Sequence, residues 1–390
     1  KQLLDGFACV QCNRCQDACP AYVTGKELSP SAIEINKRYF MNENLKDLSH
    51  ERFTDTPLKE WMMTEEAAWS CTTCGYCIEV CPVGNEPMID ILRMRQDMVM
   101  MESDFPKDAI ETFQKMENYG NPWGLSPSQR ESWMEGHNVP LMRDKKNVDI
   151  LYWAGCSGAY DSRGKDISQS VVDIMNKAKI NFACLGNEET CTGDSARRIG
   201  NEYLFQNMAK QNKKTFEKYN FKKIVTQCPH CLTTLKNDYA KLGIKLEVVH
   251  HSQYIDELIK ENKIHPDPWI EEKVTFHDPC YLGRHNNEYD APREILQSLI
   301  SNGSIVEMDQ SRSESFCCGA GGGNMWYEVK TGERVNKNRV SQATETDANI
   351  LAAACNFCNI MLEDGVKTTG NENRIKVKDV AELVAEGLKR

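Results

Sequence analysis

Cysteines with metal-binding spacing are the most informative residues of this chain, which has 18 cysteines among 390 residues. Eight of them form two identical runs near the N-terminus, each with three cysteines two residues apart and a fourth that precedes a proline. In such runs three thiolates wrap one iron–sulfur cluster, while the fourth, turned away by the proline, reaches a second cluster. We therefore predict two [4Fe–4S] cubanes. The predicted ligands are Cys9, Cys12, Cys15 and Cys81 for the first cubane, and Cys71, Cys74, Cys77 and Cys19 for the second.

Two other uses of these cysteines are less consistent with the sequence. Thiolates at this spacing also suit paired zinc knuckles, but two complete four-cysteine runs with trailing prolines are hard to explain as zinc ligation. Disulfides are typical of small secreted domains. A chain of this length needs no such links, and its first residues lack a secretory signal. We therefore expect a reducing cytoplasmic setting.

The second half of the chain contains an internal duplication. Its cysteines recur with an almost constant offset of 124 to 127 residues, which marks a repeat. The second copy has one cysteine more than the first, because Cys318 in the pair Cys317–Cys318 corresponds to Thr192. The cysteines of the second copy are Cys280, Cys317, Cys318, Cys355 and Cys358, and those of the first copy are Cys156, Cys191, Cys228 and Cys231.

The cysteines of the second copy exceed what one ordinary cubane uses, and an adjacent pair can contact two irons or hold an opened cluster. The glycine-rich run 319–323 lets the backbone approach closely, and its N–H groups could bond cluster sulfurs. The alternative is a glycine-rich turn beside buried free cysteines. His277 and Asp278 are candidates for accepting a proton or orienting a ligand, the alternative being ordinary hydrogen bonds at a strand end.

The first copy keeps enough thiolates for a further cubane or for a structural zinc, and Cys184 could join them. An empty or purely structural site is the remaining alternative. We expect His230, between two of these cysteines, to face solvent rather than to bind metal. His250 and His251 have no third ligand at a useful spacing, so we expect them to be structural.

Both copies alternate short β-rich runs with helical segments, which predicts parallel sheets covered by helices. Several of the cysteines follow a predicted strand, and ligands bind at that edge of open α/β sheets. The predicted fold class is thus α+β and multi-domain, with a helix-rich two-cluster ferredoxin domain before two α/β cysteine-rich repeats. The predicted boundaries are 1–100 for the ferredoxin domain, 101–147 for a connector, 148–268 for the first repeat and 269–390 for the second.

Composition excludes several functions. Apolar residues make up 40% of the chain and charged residues 27%, a globular composition. The net charge of −10, without long basic runs, argues against nucleic-acid binding. No glycine-rich dinucleotide or phosphate motif follows a strand, so we expect no flavin or nucleotide in this chain. No stretch approaches the roughly 20 apolar residues that span a bilayer.

Residues of the second copy carry a family resemblance: Cys280, Cys317–Cys318–Gly319 and Cys355–Asn356–Phe357–Cys358. They resemble the paired-cysteine-glycine (CCG) domain of heterodisulfide reductases and of the iron–sulfur subunits of glycolate and lactate oxidases. In heterodisulfide reductases this motif binds a non-cubane [4Fe–4S] cluster. The resemblance implies such a cluster in the second copy, whereas Thr192 puts an identical cluster in the first copy in doubt.

Most of the chain also resembles the membrane-associated electron-transfer-flavoprotein:menaquinone oxidoreductases. The resemblance rests on the order of the ferredoxin motifs, Trp123, the run 277–280 and the run 316–322. Members of that family begin with a haem b membrane domain, which this sequence does not show. We expect that domain on a segment that was removed or not resolved, or on another subunit.

The resemblance implies an iron–sulfur oxidoreductase that relays electrons from a reduced flavoprotein, electron-transfer flavoprotein in particular, to haem b and menaquinone. The chain would then lie in the cytoplasm, peripheral to the inner face of the cell membrane, with the two cubanes nearest the membrane. One alternative is a heterodisulfide reductase that cleaves a disulfide at the second-copy cluster. Another is the iron–sulfur subunit of a glycolate or lactate oxidase.

Overall fold

The front of the chain is helical. A computed structural model describes residues 1–50, 52 and 56–390 of the protein. Ser29 caps the longest helix of this part, and Pro30 occupies its first position, where proline is favoured. The helices are α1 (Gln2–Ala8), α2 (Arg14–Asp17), α3 (Pro20–Val23), α4 (Pro30–Ser49), α5 (Leu58–Trp61), α6 (Glu65–Ser70), α7 (Tyr76–Glu79), α8 (Pro87–Asp97) and α9 (Lys107–Tyr119).

A buried ion pair joins two of these helices. Lys37 on α4 lies 2.9 Å from Glu34 and 2.5 Å from Asp90 on α8. All three side chains are almost inaccessible to solvent, and a buried charge is tolerated only when it is paired. This pair therefore fixes α4 against α8, and with it the spacing of the two cysteine runs.

The segment between α8 and the first sheet packs onto the first repeat. It contains a π-helical turn (Met98–Glu102), α9 and a 3-10 helix (Pro127–Met134). The Gly120 carbonyl accepts a hydrogen bond of 2.8 Å from the Cys191 N–H, and Leu141 forms a parallel bridge to Cys184. The predicted connector thus contributes side chains to the first repeat.

The first repeat is a four-stranded parallel sheet in the order β2-β1-β3-β4. Its strands are short, apolar and largely buried, as expected for a sheet covered on both faces. The elements are β1 (Ile150–Trp153), α10 (Gly155–Tyr160), α11 (Ser162–Lys177), β2 (Phe182–Cys184), α12 (Asp194–Ile199), α13 (Glu202–Phe216), β3 (Lys223–Thr226), α14 (Pro229–Thr233), α15 (Tyr239–Lys241), β4 (Val248–His250) and α16 (His251–Lys260).

The second repeat has the same topology, with the parallel order β6-β5-β7-β8. Its elements are β5 (Lys273–Phe276), α17 (Ala291–Leu299), β6 (Ser304–Ile305), α18 (Val335–Glu345), β7 (Ile350–Ala353), α19 (Asn356–Thr368), β8 (Lys376–Asp379) and α20 (Val380–Gly387). A helical front followed by two parallel sheets confirms the predicted α+β class.

Two predicted helices are each divided in the structure. The sequence patterns predict continuous helices over 58–66 and 196–219, but the first is interrupted between α5 and α6 and the second at Gly200. Gly200 has φ of 116°, and a Cβ there would lie 2.5 Å from the Arg95 carbonyl oxygen. The close approach of α8 therefore requires glycine and ends α12.

The two repeats pack against each other through polar pairs inside one continuous apolar core. The His251 ring lies 2.9 Å from the Asp379 carboxylate, and both side chains are fully buried. Arg163 on α11 bonds Glu363 and Glu382 of the second repeat. Within the residues that the structure describes, none of the helices has the length and apolar character needed to cross a membrane.

Candidate metal centres

The two front-end cysteine runs fold into loops of the same shape. In the first loop, Gln11 and Asn13 have φ of 58° and 59°; in the second, the equivalent Thr73 and Gly75 have φ of 50° and 75°. The left-handed conformation is uncommon for non-glycine residues and marks a locally constrained backbone. Its recurrence at matching positions makes both loops curl around a central space.

Each of these loops encloses a cavity lined by cysteines. The first cavity is lined by the first three cysteines of the first run and by Cys81. The second is lined by the first three cysteines of the second run and by Cys19. Cys77 also borders the first cavity. The structure thus brings together the two sets that the spacing predicted, and iron ligation by them stays a prediction.

The two front-end cavities differ in burial. Cys12 is exposed at the first cavity, whereas all four cysteines of the second cavity are buried. Burial raises the pKa of the Cys71 thiol to about 11. The Thr73 N–H donates to Cys71 Sγ at 3.3 Å, and the Asn85 N–H donates to Cys81 Sγ at 3.2 Å. The second centre therefore lies inside the protein, and the first lies near its surface.

The first repeat gathers its cysteines at the carboxyl edge of its sheet. Cys156 follows β1, and Cys228 follows β3. The cavity at this edge is lined by Cys156, Cys191, Cys228 and Cys231. A hydrogen bond from Cys231 lowers the pKa of Cys228 to about 7. Cys184 lines a separate small cavity behind this one, so it is not grouped with the other four.

Two residues that sequence analysis missed control the charge at this site. The fully buried Arg130 directs Nη2 at Cys156 Sγ, 3.5 Å away, and forms a 2.6 Å ion pair with the buried Glu189. Glu189 also accepts a hydrogen bond from the Gly155 N–H. Neither residue belongs to a cysteine motif, and Arg130 lies in the predicted connector, so the sequence held no signal for them.

His230 is buried, which makes the predicted solvent-facing position wrong. Its ring bonds the Asp194 carboxylate at 2.9 Å and stacks on Tyr281 of the second repeat, with ring centroids 3.8 Å apart. Burial alone raises the pKa of Asp194, but His230 and Arg198 outweigh it and lower that pKa to about 2. The packing of the second repeat onto this loop removes His230 from solvent.

The cysteines of the second repeat form one contiguous thiol cluster. Neighbouring thiols influence each other's pKa along the series Cys280, Cys317, Cys318, Cys358 and Cys355, so they lie side by side. All five are buried. The structure therefore brings together the complete set that the sequence singled out, and their binding of one cluster stays a prediction.

His277 and Asp278 lie beside this thiol cluster in different surroundings. A ligand atom of His277 lies within 4.8 Å of those of Cys318 and Cys358, and His277 Nδ1 accepts a 3.0 Å hydrogen bond from Arg339 Nε. In a neutral imidazole the other ring nitrogen then carries the proton. Asp278 forms a two-pronged ion pair with Arg293, at 2.6 and 2.9 Å. Proton transfer by either residue stays a prediction.

The glycine-rich run of the second repeat packs directly on the second ferredoxin loop. A Cβ at Gly321 would lie 2.1 Å from the Thr72 carbonyl oxygen, and one at Gly322 would lie 2.1 Å from that of Cys71. Only glycine permits this approach. The Gly319 N–H donates to Cys317 Sγ at 3.3 Å, and hydrogen bonding of the run to cluster sulfurs stays a prediction.

Arg95 joins the three parts of the protein at this point. Its fully buried guanidinium donates to the carbonyls of Ala68 and Cys71 in the front end, Arg198 in the first repeat and Gly322 in the second. These bonds to backbone oxygens are formed only when all three parts are in place. The front-end loop and both repeats are thus held in one fixed arrangement.

The donor sets fit iron–sulfur clusters. All 18 cysteines are free thiols, and each of the three cavities is bordered by at least four of them. Thiolate is the ligand that such clusters take from proteins. Backbone N–H groups already point at four of these sulfurs: Cys71, Cys81, Cys191 and Cys317.

Comparison with known families agrees with this arrangement. A 4Fe-4S dicluster domain matches residues 6–85, and a cysteine-rich domain called CCG matches residues 150–236 and again 274–363. The predicted ferredoxin-type front and the predicted cysteine-rich repeats are confirmed by these matches. The matches indicate that the chain binds iron–sulfur clusters, whose number and type stay predictions.

Curated relatives align with nearly the whole chain. A probable iron-sulfur-binding oxidoreductase, FadF, of Bacillus subtilis is 38% identical over 99% of the chain and 60% of its own length. An EtfAB:quinone oxidoreductase of Syntrophomonas wolfei is 38% identical over 98% of the chain and 58% of its own length. The chain thus spans about three fifths of these two relatives.

A third relative is covered almost end to end. This relative, a component of the dihydromethanophenazine:CoB–CoM heterodisulfide reductase of Methanosarcina barkeri, is 32% identical over 99% of the chain and 95% of its own length. All three relatives are redox proteins by name, and this chain shares their cysteine-rich architecture. The chain therefore belongs to the heterodisulfide reductase-like family of iron–sulfur oxidoreductases, which transfer electrons.

Proposed function

We propose that this chain relays electrons one at a time from a reduced flavoprotein, of the electron-transfer flavoprotein class, to a membrane module with haem b and menaquinone. The observation that supports a relay is the contact between Cys74 of the front end and Cys317 of the second repeat, which lie in one buried cluster and influence each other's pKa. Cysteines from two candidate centres therefore touch. The S. wolfei relative, named for EtfAB and a quinone, supports the two partners.

The proposed cofactors are two cubanes in the front end and one non-cubane [4Fe–4S] cluster in the second repeat. We propose a further cubane in the first repeat, with zinc as the alternative. When bound, such clusters supply one-electron carriers. Iron and sulfide analysis of the anaerobically purified chain decides the number of clusters, because three clusters give about 12 irons per chain and four give about 16. Zinc is measured directly in the same sample.

The surface around the first centre supports an exit toward an apolar partner. Helix α1, which leads to Cys9, exposes Leu3, Leu4 and Phe7 with relative accessibilities of 63%, 68% and 49%. Exposed Val10 borders the same cavity as exposed Cys12. Exposed apolar patches mark interaction sites. We propose that the membrane module docks here, which would place the chain at the inner face of the cell membrane.

We propose that electrons from the flavoprotein enter the chain at the repeats. A surface cleft reaches both Gly319, beside the cysteine pair, and Thr72, in the second ferredoxin loop. Trp326 and Met361 line it with apolar surface, and Arg334 lies at its edge. A docked flavoprotein would meet two candidate centres at this cleft. Electrons would then cross from Cys317 to Cys74 and leave near Cys12.

Rapid anaerobic mixing of the iron-loaded chain with reduced electron-transfer flavoprotein tests the proposal. We expect the flavin to be oxidised within seconds as the visible absorbance of the clusters bleaches. Cys12→Ser should keep flavin oxidation but lose electron transfer to a quinone analogue in the presence of the membrane module, whereas Cys317→Ser should lose both. No flavin oxidation by the unaltered chain on this timescale would refute the relay.

Disulfide reduction is the second candidate, favoured by the similarity to a heterodisulfide reductase component over 95% of that protein. Two electrons and two protons would convert one disulfide into two thiols at the second-repeat cysteines. Thr192 weakens this candidate, because the first repeat lacks the cysteine pair. An assay of disulfide-dependent oxidation of a reduced viologen dye separates the two candidates, since turnover occurs only with a disulfide reductase.

A further inference from the structure

Arg284 bridges the second ferredoxin loop and the second repeat. Its Nε donates to the Cys74 carbonyl at 2.9 Å, and its Nη1 donates to the carbonyls of Ser313 and Ser315, each at 2.8 Å. The guanidinium also lies over the Tyr76 ring, 4.7 Å from its centroid. These contacts fix the cation between two loops that carry predicted cluster ligands.

The charge of Arg284 has no carboxylate partner among the described residues, since none lies within ion-pair distance of it. Its Nη2 is buried and makes no hydrogen bond to any residue that the structure describes. Arg293 provides a contrast nearby, because it is paired with both Asp278 and Glu307. An unpaired buried charge is costly, so the missing partner of Arg284 requires an explanation.

Cysteines of two candidate centres provide the negative charge that faces Arg284. Burial lowers the pKa of the Arg284 guanidinium, but interaction with the thiolates of Cys74, Cys280 and Cys317 outweighs burial and raises it. Cys74 belongs to the second ferredoxin run, and the other two belong to the second repeat. The buried Arg339 is also near the second repeat, but its bonds to His277, Gln310 and Ser315 do not reach the ferredoxin loop.

We propose that Arg284 is a counter-charge shared by the second ferredoxin centre and the second-repeat centre, and that it raises the reduction potential of both. The unpaired Nη2 is the donor available to cluster or thiolate sulfur. This inference rests on the ligand assignments of the proposed function. Reduction adds a negative charge to a cluster, and a fixed positive charge nearby stabilises the reduced form.

The shared position makes a prediction that a local structural role would not. Loss of an ordinary hydrogen bond to one loop would change the reduction potential of one centre only. Loss of a cation that faces cysteines of both centres lowers both potentials in the same direction. Electrons that enter at the second repeat would then meet two less favourable acceptors in succession. The first ferredoxin centre would keep its potential, because the hydrogen bonds of Arg284 go to the second ferredoxin loop and the second repeat.

Redox titration of the iron-loaded chain, followed by electron paramagnetic resonance, tests this proposal in Arg284→Gln and Arg284→Lys. In R284Q we expect the ratio of reduced to oxidised form to fall at least tenfold for both centres at a fixed potential, which is about 59 mV for one electron. R284K keeps the charge and should recover most of the shift. Arg163→Gln is the matched control, because Arg163 is a buried arginine already neutralised by two glutamates.

The outcomes separate the proposal from the function on which it rests. Unchanged potentials in R284Q, at full iron and sulfide content, would overturn the role of Arg284 and leave the relay intact. If R284Q loses iron, the potentials of R284K decide. If R284K keeps the potentials of the unaltered chain, the counter-charge role is supported. If both potentials fall in R284K by the amount expected for loss of the charge, that role is overturned, because R284K still carries the charge. Absence of either resonance signal from the unaltered chain would refute the ligand assignments instead.

Discussion

The two cysteine-rich repeats share one topology and one strand order. They differ in how the arginine beside their cysteines is neutralised. In the first repeat, Arg130 approaches Cys156 and is neutralised by the buried Glu189. In the second, Arg284 faces the cysteines without a carboxylate partner among the described residues. The two repeats share a scaffold, but the arginine charge of the first site is neutralised by a glutamate. Within the part of the chain that the structure describes, the arginine charge of the second site can be neutralised only by negative charge on the cysteines.

The repeats also differ in what their cysteine loops contact. After Cys191–Thr192–Gly193 the first repeat continues with Asp194, Ser195 and Ala196 and starts helix α12. At the same offset the second repeat has Gly321 and Gly322, which remain in a loop and lie on the ferredoxin backbone. Duplication followed by divergence therefore places only the cysteine loop of the second repeat on the second ferredoxin loop. The predictions below exchange single features of the two repeats.

The largest effect is expected from Cys318→Thr, which gives the second repeat the residue of the first. It removes the thiol that lies between Cys317 and Cys358, so the five-thiol cluster is broken. We expect a loss of about four irons per chain and of one resonance signal. Cys184→Ala is the matched control, because Cys184 is buried but borders a different cavity. Full iron content in C318T would show that the cysteine pair is not required.

Gly322→Ala introduces the alanine that the first repeat has at the equivalent position. Its Cβ would lie 2.1 Å from the Cys71 carbonyl oxygen, and Gly322 has φ of 67°. Strain and displacement together should cost about 2 to 5 kcal/mol of stability and should broaden the signal of the second ferredoxin centre. Thermal unfolding and resonance spectra measure both effects.

Gly243→Ala is the control for Gly322→Ala, because it introduces backbone strain without a clash against another loop. Gly243 has φ of 78°, but a Cβ there meets no atom within 4 Å. We expect it to cost about 1 to 2 kcal/mol and to leave every cluster signal unchanged. If both variants behave alike, the glycine-rich run of the second repeat serves only local backbone geometry and not contact between domains.

Local patterns in the sequence predicted the repeats well. Strands β3 and β7 have the bounds that the sequence predicts, 223–226 and 350–353, because each is a short, mostly apolar run that ends at a cysteine loop. The cysteine sets were also predictable, since cluster-binding motifs have fixed spacing. Arg284 was not, because its partner Cys74 lies 210 positions away. The burial of His230 by Tyr281 likewise depends on how the two repeats pack, which no local pattern encodes.

Thr192→Cys reverses the exchange made in Cys318→Thr, because it gives the first repeat the residue of the second. We expect a moderate effect on the resonance spectrum. Thr192 Oγ1 is buried and makes no hydrogen bond to the chain, so a thiol of similar size should fit at little cost in stability. The fifth thiol should alter the resonance spectrum of the first repeat without loss of iron. Thr192→Ser is the control, because serine offers no thiolate. An unchanged spectrum in T192C would mean that residue 192 does not reach the metal site.

The smallest effect concerns the residues that cap the last helix of each repeat, His250 in the first and Asp379 in the second. Burial and the neighbouring His251 hold the pKa of His250 well below 6.5, so the native state does not bind a proton there. The unfolded chain does bind one below about pH 6.5. Stability from this group is therefore present above that pH and is lost as the pH falls through it.

His250→Asn tests this difference, because asparagine also accepts a capping bond from the Ser252 N–H but does not titrate. Between pH 6.5 and 5.5, the fall in apparent unfolding free energy should become smaller by up to about 1.4 kcal/mol per pH unit. Urea unfolding under anaerobic conditions at several pH values measures it, with the exposed His50→Asn as control. An equal slope in H250N and the unaltered chain would mean that His250 takes up its proton without unfolding. The first repeat would then be no more sensitive to acid at its helix cap than the second, whose cap is a carboxylate.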